Sequence, residues 1–206
     1  HPSDAQLSPD KSLIAFVMGK SNKADKDSPH EYSIHLLDIA TGKISPITGS
    51  GTWTNISPCW SPDGATIAFI SNRVDKKNMQ VYVIPIGGGE AQALTDLRGN
   101  LEWIQWSSDG QSISFLYNGN LDQSLEDDPD PIVYDGAPKF NRIWTVDVKT
   151  RELLAVTPET YHIHEYVWSP DQNNFVVLAS QHPNPMQGWY SAQLYLASSD
   201  GTQFDL

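Results

Sequence analysis

One pattern recurs four times in this chain and constrains its fold more than any other feature. The copies are "LSPDKSLIAFVMGK" at 7–20, "WSPDGATIAFISNR" at 60–73, "WSSDGQSISFLYNG" at 106–119 and "WSPDQNNFVVLASQ" at 168–181. Their turn aspartates, Asp10, Asp63, Asp109 and Asp171, stand 53, 46 and 62 residues apart. After each copy comes an alternating segment: "YSIHLLDI", "MQVYVIPI", "NRIWTVDV" and "AQLYLASS". Three of these lead through a turn ("ATGK", "GGGE", "KTRE") into a short strand ending in Thr, and the fourth into "SDGTQFDL". Period-2 alternation rich in β-branched and aromatic residues marks half-buried strands.

Each unit therefore reads as four antiparallel strands with almost no helix signal. A four-stranded sheet that is apolar on both faces cannot bury both alone, so it must stack on copies of itself. Sheets repeating at about 40–50 residues are the blades of a β-propeller. The expected fold is all-β, one partial propeller domain over 1–206, with blades at approximately 4–48, 53–95, 101–157 and 162–206.

The repeated turn has its own chemistry. An Asp at this place accepts a hydrogen bond from the backbone two residues on, and Pro62 presets its φ for the turn. Gly64 and Gly110 are free to take a positive φ as the hairpin closes. Lys11 and Gln172 replace that glycine, so their turns are expected to differ or to be strained. Recurrence at matching turn positions makes Asp10, Asp63, Asp109 and Asp171 structural rather than catalytic or metal-binding residues.

Charge and cysteine content exclude several function classes. The formal charge is −12, and an acidic surface repels phosphate backbones and anionic lipid, so neither nucleic acid nor membrane is an expected partner. Cys59 is the single cysteine, expected as a buried, inert thiol, and no intrachain disulfide is possible. No apolar run approaches the length of a membrane span. His162 and His164 share one side of a strand at a spacing that can chelate zinc, but no Cys or further His lies nearby in sequence. The acids of "LEDDPDP", including Asp127 and Asp128, lack the spacing of a calcium loop and read as a solvated insertion at the rim. "GGGE" lies between strands and reads as a hairpin, not a phosphate cradle. "NIS" at 55–57 falls in an innermost strand, which makes it an accidental glycosylation sequon. "WIQW" places Trp103 and Trp106 on opposite faces of a strand, both for packing. "QHPNPMQGWYS" reads as a Pro-rich loop whose Trp189 and Tyr190 are candidate recognition residues. No cofactor or metal is expected.

These repeats resemble a known group. "PCWSPDGATIAFISNR" with "QVYVIPIGGGEAQALT" is similar to the WD40-like, or PD40, repeat of TolB-type propellers. It is equally similar to the propellers of S9-family serine peptidases, the prolyl oligopeptidase clan. The opening "SDAQLSPDKSLIAFVMGKSNKADKD", the following "EYSIHLLDIATGKISPIT" and the acidic excursion "LEDDPDPIVYDGAPKFNRIWTVDVKTRELLAVT" resemble the acylaminoacyl-peptidase branch in particular.

That resemblance implies a ring of seven or eight blades and a separate α/β-hydrolase domain carrying the catalytic Ser, Asp and His. The chain itself has no nucleophile elbow of the form GxSxG: "GSGTW", "GQSIS" and "GWYSA" all fail the spacing. The expected role is a substrate-gating, non-catalytic propeller of a cytoplasmic peptidase acting on short or acylated peptides. Its expected partners are the peptide substrate and the hydrolase domain. Four blades with open ends are further expected to self-associate through their apolar faces, as two half-rings, or else to close as a four-blade ring. The alternative is a periplasmic TolB-like module that binds protein or peptide without enzymatic activity.

Overall fold

A computed structural model describes residues 2–20, 31–49, 51, 53–99, 101–119, 140–171, 173–183 and 185–206. The first sheet is β1 (Pro2–Leu7), β2 (Leu13–Lys20), β3 (Glu31–Asp38) and β4 (Ile44–Pro46). The second is β5 (Asn55–Trp60), β6 (Thr66–Ser71), β7 (Gln80–Pro85) and β8 (Gln92–Ala93). The third is β9 (Leu101–Trp106), β10 (Ser112–Tyr117), β11 (Arg142–Asp147) and β12 (Leu153–Ala155). The fourth is β13 (His162–Trp168), β14 (Asn174–Ser180), β15 (Gln193–Ser198) and β16 (Phe204–Asp205), with helix α1 (Pro185–Ser191) between β14 and β15. Every sheet is an antiparallel meander in chain order. These are four blades of a β-propeller, whose first strands lie innermost: β5 packs on both β1 and β9.

Alternation along each middle strand divides its side chains between two interfaces. On β6, Ile67 and Phe69 pack with Ala15, Val17 and Ile34 of the first blade. Ala68 and Ile70 of the same strand turn the other way, onto Ile113, Phe115 and Trp144 of the third. A third cluster joins Leu116 and Ile143 to Tyr166, Phe175 and Val177 of the fourth. Each fully buried Val, Leu, Ile or Phe among them contributes roughly 1.5–3 kcal/mol. The described residues form no cluster joining the fourth blade to the first.

The innermost strands carry a device that period-2 reading does not anticipate. In the first three blades a β-bulge sets two residues of the inner strand against one Phe of the next: Phe16, Phe69 or Phe115. The first bulged residue is left-handed each time, with φ of 49° at Asp4, 53° at Ser57 and 60° at Trp103. Holding a non-glycine residue there costs about 1–3 kcal/mol, which the buried Phe opposite helps to offset. In the fourth blade Val177 stands in place of the Phe, and the bulge moves to His164 without a left-handed residue.

The repeated turns share one hydrogen-bond set. Ser61 Oγ donates to Asp63 Oδ1 at 2.6 Å, the Ala65 amide donates to the same oxygen at 3.0 Å, and the Thr66 amide returns to Ser61 Oγ at 2.9 Å. Asp10, Asp109 and Asp171 are held in the same way by Ser8, Ser107 and Ser169. The outer hairpin of the fourth blade repeats the set with Ser198 and Asp200. Lys11 does not change the turn: it adopts φ 63°, beside 70° at Gly64 and 68° at Gly110, and keeps the strain in its own backbone. Successive turns also touch, for Gly64 lies against Pro9 and Gly110 against Pro62.

Two expectations need correction. "QHPNPMQGWYS" is not an open loop: Pro185 to Ser191 form α1, because a proline at the first helical position loses no hydrogen bond and has its φ already set. Cys59 is half-buried rather than fully enclosed, packed against the second interface, where burial pushes its thiol pKa up.

Candidate functional site

The hairpins bearing Asp10, Asp63, Asp109 and Asp171 occupy one rim, where strand one of each blade turns into strand two. The opposite rim carries the starts of the inner strands, the β6–β7 loop and α1. There the polar and aromatic side chains left over from packing come together. Asp127 and Asp128 lie outside the described residues.

At the first-to-second blade junction, Asn55 begins β5 with its side chain fully buried. Its Nδ2 donates to the Tyr32 carbonyl of the first blade at 3.0 Å, and Ser71 Oγ donates to its Oδ1 at 2.9 Å. Arg73, just past the end of β6, donates from Nη2 to the same Oδ1 at 2.9 Å and from Nε to Ser71 Oγ at 3.3 Å. Its guanidinium lies 4.7 Å from the Tyr82 ring centre and 5.1 Å from that of Phe69. Burial lowers the Arg73 pKa. An Asn55 so enclosed presents no amide for glycosylation.

At the third-to-fourth junction, Trp103 is 44% exposed on its left-handed bulge. Its carbonyl accepts the Tyr166 hydroxyl at 2.7 Å, and their rings stand 6.5 Å apart. Trp106 instead packs into the second interface. The His162 and His164 rings meet edge-on at 5.0 Å. His162 Nδ1 accepts the Asn141 amide at 3.1 Å, so this nitrogen is unprotonated, and burial and the neighbouring His164 lower its pKa. Among the described residues no third ligand joins the two histidines.

His164 Nε2 lies 2.9 Å from Ser180 Oγ, the pairing that a serine nucleophile needs. The proton runs the wrong way for that chemistry. Ser180 spends its hydroxyl proton on the His182 carbonyl at 3.0 Å, so His164 is the donor to the serine oxygen. Gly188 of α1 sits on this corner so closely that a Cβ there would be 2.5 Å from the His182 carbonyl oxygen. Docking by Gly188 sets Trp189 edge-on to His164 at 5.7 Å and leaves Tyr190 90% exposed. Trp189 and Tyr190 are thus together on the rim, while the Arg73 cluster lies two blades away. Sequence reasoning passed over Arg73; the signal was an arginine directly after the "FISN" strand end, next to Lys76 and Lys77 in an acidic chain.

No family model matches the chain. An uncharacterized peptidase, YuxL, of Bacillus subtilis is 36% identical over 125 residues, 61% of this chain and 18% of the relative. Among solved structures, the acylaminoacyl peptidase of Pyrococcus horikoshii superposes with a TM-score of 0.69 at 18% identity, over 100% of this chain and 32% of that one. TolB from Acinetobacter baumannii superposes with a TM-score of 0.65 at 17% identity, over 100% of this chain and 43% of that one. The match thus covers less than a fifth of that peptidase, and the chain less than half of either structure. Its four blades have the propeller architecture of both structures and make up part of such a ring.

Proposed function

We propose that this chain is the substrate-gating, non-catalytic propeller portion of an S9-type serine peptidase acting on short or acylated peptides. The observation that carries this reading is the 36% identity over 125 residues to a bacterial peptidase. On this reading acyl transfer belongs to a hydrolase domain outside these 206 residues, which themselves lack a GxSxG elbow. In that arrangement the inner strands border the passage by which a peptide reaches the nucleophile. A narrow ring admits extended or short chains and turns away folded ones. Trp103, Trp189 and Tyr190 are the exposed aromatics placed to meet a peptide at the rim. On this reading the protein works in the cytoplasm.

The last blade gives any reading as part of a larger ring a structural requirement. Val176, Leu194 and Leu196 are exposed, although Ala68, Val81 and Val83, their counterparts in the second blade, are buried by the blade that follows. A further blade-like sheet belongs on that face.

The TolB similarity favours a second reading, a peptide- or protein-binding propeller without a hydrolase. The two separate on the full-length gene product. The peptidase reading expects labelling by a serine-reactive fluorophosphonate, hydrolysis of acylated short-peptide chromogenic substrates, and no cleavage of folded casein-sized chains. Absence of both labelling and hydrolysis overturns it and leaves the binding module.

A further inference from the structure

Arg73 is a cation held in a fixed attitude, and no acidic side chain among the described residues neutralises it. Asn55 and Ser71, both fully buried, fix two of its N–H groups, and the Phe69 and Tyr82 rings support its plane from beneath. Among the described residues no Asp or Glu pairs with it. The contrast with Arg142 is direct: that guanidinium also lies over an aromatic ring, Trp144, but is paired with Glu159 at 3.0 Å.

The nearest acid in sequence, Asp75, is spent within its own loop. It accepts the Lys77 amide at 3.0 Å and Asn78 Nδ2 at 2.6 Å. Asn72 ties the loop at both ends, with its Oδ1 accepting the Thr54 amide at 2.7 Å and its Nδ2 donating to the Lys76 carbonyl at 3.2 Å. The loop from Arg73 to Lys77 thus carries Arg73, Lys76 and Lys77 against Asp75 alone, a positive stretch in a chain of net charge −12. A guanidinium has five N–H groups in a planar fork, and two of Arg73's are used. The remaining edge is free to take both oxygens of a carboxylate, the geometry in which arginine outperforms lysine. Pre-set orientation removes most of the rotamer entropy that a free arginine side chain loses on binding.

We propose that Arg73 is the centre of a carboxylate-binding site on the rim between the first two blades. Its ligand is the C-terminal carboxylate of a peptide or an Asp or Glu side chain within one. The inference does not need the hydrolase domain, and its test reads binding rather than turnover, so its failure is distinguishable from failure of the peptidase reading.

The test titrates three peptides into the full-length gene product, its hydrolase blocked by fluorophosphonate and only its arginines isotope-labelled, while following the Arg73 Nε–H resonance by NMR. They are N-acetyl-trialanine as free acid, its C-terminal amide, and N-acetyl-Ala-Asp-Ala amide. The free acid is expected to shift the resonance saturably and to bind at least about tenfold more tightly than the plain amide. If the Asp peptide matches the free acid, the site takes side-chain carboxylates; if it matches the plain amide, the site takes chain ends. Arg73→Gln is expected to weaken the better ligand about tenfold or more, Arg73→Lys less, and Lys76→Gln only a few-fold, since it leaves the fork intact. Unfolding midpoints of the Arg73 variants, which also lose a ring contact, verify that the compared proteins are folded. A resonance unmoved by both the free acid and the Asp peptide, or equal binding of both and the plain amide, overturns the proposal.

Discussion

Trp106 donates its indole N–H to the carbonyl of Cys59, 3.1 Å away and 47 residues earlier in the chain. Trp60 makes the same bond one blade back, to Gln6 at 3.0 Å. The tryptophan that opens each repeated motif therefore stitches its blade to the innermost strand of the preceding one. Trp168 departs from this, donating to Ser114 Oγ on β10, because Gln105 and Tyr166 already link the two inner strands there.

Replacing Trp106 by Phe keeps most of the apolar volume but leaves the Cys59 carbonyl without its donor. We expect a loss of about 1–2 kcal/mol, read as a lower urea midpoint at unchanged slope. Trp168→Phe is expected to cost less, because Ser114 Oγ keeps its own bond, donated to the Gln105 carbonyl at 3.3 Å.

Lys11 occupies with φ 63° the place that Gly64 fills with φ 70°. Lys11→Gly should stabilise the chain by up to about 1 kcal/mol, the relief of left-handed strain less the added freedom of the unfolded chain. Gly64→Ala should destabilise it by about 1 kcal/mol. Paired thermal melts of both variants test the opposite signs.

Acid should weaken the fold in two stages. His162 is held neutral, with a folded pKa below its ordinary 6.5, so the unfolded chain binds its proton more readily. Stability is full above about 6.5 and falls as pH drops through the lower folded value. The turn carboxylates act further down. Ser8 and Ser198 hydroxyls hold Asp10 and Asp200 at about 2, below the ordinary 3.8. Their contribution is present above 3.8 and lost as pH falls towards 2. Melting temperature followed from pH 8 to 2 should show both declines, and His162→Gln should shrink the first to the share of His164, whose pKa burial also lowers.

The open face of the fourth blade should be sticky. Leu194 is 64% and Leu196 47% exposed, whereas Val81 and Val83, at the matching places, are 0% and 9% exposed. The 206-residue chain is expected to self-associate with rising concentration, and Leu196→Asp to abolish this, by size exclusion with light scattering. A wild-type chain that stays monomeric at high concentration contradicts this prediction.

Much of the architecture is legible in the residues themselves. Four copies of a Ser-x-Asp turn between alternating segments determine four strands per unit and require the units to stack, because each sheet is apolar on both faces. The turn's hydrogen-bond set is equally local: Ser61, Asp63, Ala65 and Thr66 lie within six residues. Local chemistry of that kind is written in the order of the chain.

What only the tertiary structure decided depends on residues brought together from different blades. Trp103 adopts a left-handed conformation because Phe115, on the facing strand, must be accommodated, and nothing in "WIQW" announces this. Arg73 becomes an oriented, unpaired cation only where Asn55, 18 residues away, and the Tyr82 ring meet it. Ser180 and His164 look like a catalytic pair until the His182 carbonyl claims the serine's proton. Spacing along a strand carries the period of burial, but the direction of a hydrogen bond and the company of a charge are set by packing.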